Sequence, residues 1–449
     1  MKRILTSVIL LTMVFALALS AASCKSSGTN TTSGNKDTSV PGGFANVDSK
    51  VLEALSNTGK VSVYYPDQTE YNDWDKKFVK YFEEVYNGTV DPIFTRWGGW
   101  EKKFYQDFMA GNSPDLIYLF EKLWPKAATR SLVYTTDELT EKGVVGLDHY
   151  YLQDKLESVQ NFFSNNGKKY VFANYKTEPV VMLINEEIFT KYDVKSPSQL
   201  FKEGKWNYDT FLDCAKKTTK DTNDDGATDI WGYQGWDWNY LITSAGGQIV
   251  KFSDNGKVEG NYYDSKTMKG FQHAREVYGT YKVSVWNVLG YNDFPNGNIA
   301  MCAALPDNFA WHISKCTFKW GMVPYPLDSG NTEAIRSGNS YAWAVSSAAK
   351  NPQGAVNFII AKNCFIEDNG KSPYEPDYSC YNEEQLALIE EYSQHCVLPI
   401  FMGVGTLMDA QYSFRDSISV GNKEITEVIE TYKGQWDGQI EIENQGGES

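Results

Sequence analysis

The chain has 449 residues, with 57 acidic against 42 basic side chains and a formal net charge of −15. That excess of carboxylates disfavours nucleic acid and anionic ligands as partners, and the length exceeds a typical single domain, so two lobes are expected. Aromatic residues make up 14%, including 13 Trp and 29 Tyr, a content that suits either a large core or a surface that stacks on sugar rings and hydrogen-bonds at their edges.

Met1-Lys2-Arg3 precedes an apolar run from Ile4 to Ala22, the layout of a secretory signal. A run this long also serves as a permanent anchor. Small residues Ala21, Ala22 and Ser23 then lead to Cys24. The stretch resembles a bacterial lipoprotein signal, in which 1–23 is removed and the thiol is diacylated, although Ala21 stands where such signals usually carry Leu. Two acyl chains give stable anchoring. Residues 24–44 (CKSSGTNTTSGNKDTSVPGGF) have little to bury and read as a lipidated flexible tether. The body, 45–449, is therefore expected on the extracellular face of the cell membrane.

In that body, "KVSVYYP" (60–66) reads as a strand stopped by Pro66, and "YNDWDKKFVKYFEEVY" (71–86) as a helix with Trp74, Phe78, Tyr81, Phe82 and Val85 on one stripe. "TVDPIFTRWG" (89–98) is a strand interrupted at Pro92, and "EKKFYQDFMAGNSPDLIYLF" (101–120) a helix ended by Gly111 and then a strand. This alternation is that of an open α/β sheet. Ligands of such sheets gather beyond the C-terminal strand ends, which places Asp67, Trp97 and Glu121 near a cleft.

A second α/β set follows. Two extended pieces flank Pro179, "KWNYDTFLDCAKKTT" (205–219) is a helix capped by Asn207 or Asp209, and "GWDWNYLITSAGGQIV" (235–250) sets two tryptophans before a helix stopped at Gly246-Gly247. "FPNGNIAMCAALPDNFAWHI" (294–313) is a turn, a strand and a helix start, and "FKWGMVPYP" (318–326) is extended. Six cysteines remain besides Cys24: Cys214, Cys302, Cys316, Cys364, Cys380 and Cys396. Pairs such as Cys364/Cys380 or Cys302/Cys316 could close short loops, and scattered buried thiols suit the sequence equally. The four histidines (His149, His273, His312, His395) are too dispersed for a metal centre.

The order and spacing of "SPDLIYL", "EPVVMLINEEIF", "KWNYDTFLDCAKKTT", "DTNDDGATDIWGYQGW", "FPNGNIAMCAALPDN", "WGMVPYP" and "NSYAWAVSSAAKNPQGAVNFIIA" resemble bacterial extracellular solute-binding proteins of the sugar-binding class, similar to maltose-binding proteins. The resemblance implies an α/β, two-lobed periplasmic-binding-protein-like fold with a hinge and an interlobe cleft. It implies a first lobe of 45–177 plus 324–360 and a second of 178–323 plus 361–449. It also implies an oligosaccharide ligand, ABC transporter permease subunits as partners, and no catalysis. The body reads as monomeric by default.

Carried over position by position, Asp67 and Glu121 resemble hydroxyl-binding carboxylates of the first lobe, and Glu178 one at the first crossing. Trp236 falls where a stacking aromatic of the second lobe occurs, with Trp238 close behind. Sugar-binding relatives often place Trp directly after the Pro of "ALPDNFAW"; here that position is Asp307, with Trp311 four residues on. Tyr341 and Trp343 flank the return to the first lobe, on one strand face, and one of them is expected in the cleft.

In "DTNDDGATDIWG" (221–232), Asp221, Asn223, Asp225 and Asp229 take positions one, three, five and nine of a calcium-loop spacing, with Gly226 at the turn. Gly232 replaces the bidentate Glu of position twelve, which argues against an EF-hand. The segment is either a structural calcium loop or an ion-free Asx-rich turn; no other cofactor is required. The rival readings are a glycan-binding sensor or adhesion lipoprotein without a permease, the same scaffold holding a cationic solute, and a glycoside hydrolase. The last needs a carboxylate pair that sequence does not reveal.

Overall fold

The computed structural model describes residues 49–445 apart from 67, 97–98, 154, 236, 285–292, 334–335 and 372–377. The signal, the tether, Cys24, Asp67, Trp97 and Trp236 lie outside the described residues. Strand β1 (Gly59–Pro66) pairs in parallel with β2 (Gly88–Thr95), and helix α1 (Asp73–Tyr86) connects them. A reciprocal cap starts α1: the Asn72 side chain accepts from the Asp75 amide and the Asp75 carboxylate accepts from the Asn72 amide. Phe78, Phe82 and Tyr86 are its buried stripe, while Trp74, Tyr81 and Val85 are half-buried. Pro92 is tolerated because β2 is the sheet's edge, where a missing N–H breaks no ladder.

Helix α2 (Trp100–Met109) leads to β3 (Leu116–Leu119), which joins β1 in parallel, and α3 (Trp124–Thr129) follows. Strand β4 (Ala173–Pro179) then runs past Val180 into β5 (Val181–Asn185), and this first crossing delivers the chain to a second sheet. Helix α4 (Tyr208–Thr218) is capped by Asn207, whose side chain accepts from the Thr210 amide. Strand β6 (Gln234–Gly235), α5 (Asn239–Ser244), α6 (Ser265–Ala274), β7 (Met301–Ala304), α7 (Pro306–Ile313) and β8 (Trp320–Pro324) complete the second lobe's sheet in the order β8-β5-β7-β6. Val181, Leu183, Ile299, Cys302, Phe309 and Ile313 lie in its core.

The chain returns as β9 (Arg336–Val345), antiparallel to both β3 and β4, then α8 (Pro352–Asn369), which packs on β1 and α1. The lobe boundary expected at 360/361 falls inside this unbroken helix. Ile359, Ile360, Cys364 and Phe365 are all buried along it, and the helix runs on to Asn369. Strand β10 (Cys396–Val397) also adds to the first sheet beside β9, before α9 (Leu407–Val420) and α10 (Ile425–Gln445) pack with the second lobe. The first sheet thus reads β10-β9-β3-β1-β2, with β4 also on β9. None of the six cysteines from Cys214 to Cys396 is in a disulfide, so neither proposed pair is joined.

Candidate functional site

The two lobes meet where β4 leaves the first sheet. Along the β4–β9 ladder, Asn174 pairs with Ala342 and Lys176 with Tyr341, so Tyr175 is an extra residue on β4. A bulge of this kind bends its strand and re-aims the side chains that follow. Lys176 and Glu178, two apart, then share a face. Lys176 pairs with Asp307 of α7 and lies 3.0 Å from Glu178. Burial pulls the Lys176 pKa down, but the Glu178 and Asp307 carboxylates outweigh it and hold the ammonium above its ordinary range.

Glu178 is fully buried, and besides Lys176 its hydrogen-bond partners come from distant parts of the chain. Its Oε1 accepts from the Asp307 amide at 2.6 Å and from the Tyr378 hydroxyl at 2.8 Å. Helix α7 explains the first bond. Leu305 stands at its cap position and offers no side-chain acceptor, which leaves the first amides without partners. Glu178 meets one of them from outside, and its negative charge suits the positive end of the helix. Tyr378 comes from beyond α8, so Glu178 joins the first crossing, the start of α7 and the segment after α8.

On the first-lobe wall, Tyr341 stacks on Phe120 with ring centroids 5.8 Å apart and planes 12° from parallel, and the Lys176 ammonium sits 5.4 Å from the Tyr341 centroid. Glu121, next after Phe120, is buried, and its Oε2 has no hydrogen-bond partner among the described residues. Burial pushes its carboxyl up to about 7, against smaller opposing effects from its own backbone amide, Lys122 and Lys176. On α7, Trp311 lies one helical turn beyond Asp307, on the same face. It is 65% exposed, with the Lys315 ammonium 3.1 Å from its ring centroid.

Two expected site residues lie elsewhere. Trp238 is fully buried, donates from Nε1 to Gln411 and stacks near Phe271 and Phe414, so it belongs to the second lobe's interior. Trp343 follows Tyr341 on the same strand face, but one step deeper: it packs 3.9 Å from Tyr118 beneath α8 and is 3% exposed. Tyr341, Glu121, Glu178 and Asp307 are brought together, and Trp311 follows Asp307 along α7. Lys176, Tyr378 and Phe120 were not singled out by sequence. Only Lys176 carried a signal, as a cation two residues before Glu178 on a strand.

The segment 221–227 is exposed and 228–229 half-buried, and its side chains serve its own backbone. Asp221 accepts from the Gly226 amide, Asn223 from Asp225, Asp225 from Ala227, and Asp229 from the Thr222 amide and hydroxyl. Among the described residues no group of three or more His, Cys, Asp or Glu side chains is arranged to hold a metal.

Comparison with known proteins bears on the whole body. The profile of the family described as bacterial extracellular solute-binding protein matches residues 65–360. No curated protein sequence matches the chain. Among solved structures, an ABC substrate-binding protein from Listeria monocytogenes in complex with cycloalternan superposes with a TM-score of 0.59 at 18% identity, over 87% of this chain and 100% of that one. A solute-binding protein of an ABC transporter from Thermotoga lettingae, bound with alpha-D-tagatose, gives 0.58 at 16% identity, over 85% and 100%. The maltose/maltodextrin-binding domain from Bdellovibrio bacteriovorus, bound to maltotriose, gives 0.55 at 15% identity, over 85% and 100%. At these identities the likeness is one of fold, and the fold is bilobed.

Proposed function

The chain belongs to the bacterial extracellular solute-binding protein family, and from that premise we propose that it is the substrate-binding component of an ABC transporter. It captures a carbohydrate, an oligosaccharide in this reading, between two closing lobes and passes it to a membrane permease. Cys24 tethers the body to the extracellular face of the membrane, in keeping with the small residues before it and the polar stretch after it. Members of the family bind solute without chemistry, and the chain is not an enzyme.

One observation carries the saccharide reading: a buried carboxylate oxygen of Glu121 without a partner, beside the stacked Tyr341–Phe120 rings at the strand ends of the first sheet. Sugar hydroxyls donate to such a carboxylate, and the apolar face of a pyranose covers such rings. Asp307 and Trp311 face them from the second lobe. A ligand touching both walls binds the closed form better than the open one and so shifts the population toward closure.

The test is calorimetric titration of residues 45–449, a compact unit distinct from 1–44, against a panel of oligosaccharides. Micromolar or tighter binding of one glycan, recovered intact, is the expected result. No binding across the panel would remove the saccharide reading in favour of another solute class.

A further inference from the structure

The charge of the cleft narrows the ligand class beyond saccharide in general. After burial itself, Glu121, Glu178 and Asp307 each lie near enough to the Tyr341 phenol to raise its pKa. Glu101 acts on Glu121 from α2. Among the described residues acting on these groups and on Glu101, four carboxylates therefore face three ammonium groups, Lys122, Lys126 and Lys176.

The bonds already made decide which of these charges remain for a ligand. Glu178 is enclosed: its Oε1 accepts from the Asp307 amide and Tyr378, its Oε2 has only the Lys176 ammonium, 3.0 Å away, and Lys176 is enclosed with it. Two acceptors stay open. The Asp307 side chain is 30% exposed although paired with Lys176. Glu121 Oε2, in a residue only 9% exposed, has no partner. A neutral sugar would fill acceptors here but leave the carboxylate excess uncompensated once closure excludes water, and an anionic sugar would add to it. A protonated amine instead supplies three donors and the missing charge. Both aromatic walls already have cations over their rings, Lys176 at Tyr341 and Lys315 at Trp311.

We propose that the cleft selects an amine-bearing saccharide, its ammonium group held between Asp307 and Glu121, an inference that rests on the saccharide reading of this site. The test is calorimetry on residues 45–449 at about pH 7.5, above the value to which burial lifts the Glu121 carboxyl, so that it is ionised while most of such an amine is still protonated. Three oligosaccharide series of matched length are compared: glucosamine oligomers, their N-acetylated forms and neutral gluco-oligosaccharides. The amine series is expected to bind about tenfold tighter or more, equivalent to about 1.4 kcal/mol. That advantage is expected to shrink with added salt and in Asp307→Asn and Glu121→Gln. Neutral or N-acetylated chains binding as tightly as the amines would overturn the proposal while leaving the saccharide reading in place. An amine preference indifferent to salt and to both substitutions would overturn the assigned residues. Failure of all three series removes the saccharide reading and this inference together.

Discussion

Lys176, on the last strand before the hinge, forms an ion pair with Asp307, at the N-terminus of a helix in the opposite lobe. The pair links strand β4 to the start of α7, and the Asp307 amide is held by Glu178 beside it. Hydrogen bonds to charged groups contribute about 1.5–3 kcal/mol. Asp307→Ala is therefore expected to shift the ligand-free protein toward open forms, seen as a larger radius of gyration by X-ray scattering. An unchanged radius would mean that the pair does not hold the lobes.

Glu178 carries more of the hinge than its neighbours. Glu178→Gln removes the charge that faces Lys176 and the α7 amide, and breaking a buried pair on one side costs about 3–5 kcal/mol. Tyr378→Phe removes one hydrogen bond and is expected to cost about 1 kcal/mol. Urea unfolding midpoints separate the two. Equal losses would show that the Glu178 charge contributes nothing beyond its hydrogen bonds.

Glu121 sets a pH dependence of defined sign. Burial raises its carboxyl from 4.5 to about 7, so the folded chain holds this proton more tightly than the unfolded chain. The resulting stability is present below about pH 4.5 and is lost as pH rises through about 7, a change on the order of 3 kcal/mol. Buried Asp237, lifted to about 6 by burial, titrates in the same window. The measurement is accordingly the difference between wild type and Glu121→Gln: a gap in stability that widens from pH 4.5 to 8, with the variant the more stable at high pH. A constant gap would place Glu121 in water.

Trp311 and Trp238 separate binding from packing. Trp311→Ala is expected to leave the thermal midpoint almost unmoved, as exposed substitutions do within about 0.5 kcal/mol, while weakening saccharide affinity by about 0.5–1.5 kcal/mol. Trp238→Ala opens a cavity beside Phe271 and strands the Gln411 side chain, at a cost of about 3–5 kcal/mol. A Trp311→Ala protein that binds as wild type would move the second wall of the site away from α7.

Much of the fold was legible because its signals are local. Asn72 and Asn207 cap the helices their neighbours begin, Pro66 ends β1, and apolar runs at 181–185 and 301–304 become buried strands. The 360/361 boundary read from sequence falls within helix α8 because that helix continues past the last segment with a recognisable pattern, and its buried residues read equally well in either lobe. The candidate site was legible only in part. Glu121, Asp307 and Tyr341 sit where strand ends and a helix start put them, but Tyr378 lies two hundred positions from the carboxylate it bonds.

Sequence by itself determined the α/β alternation, the two lobes and the placement of acidic and aromatic residues at strand ends, since hydrophobic period, caps and prolines act over a few residues. Only the tertiary structure decided which tryptophan is a wall and which is core, because exposure depends on what packs above a residue. Only it, too, turned Glu178 from a free acceptor into the knot of the hinge. A single extra residue, Tyr175, aims Lys176 and Glu178 at a helix from the other lobe, and no pattern along β4 announces where that helix begins.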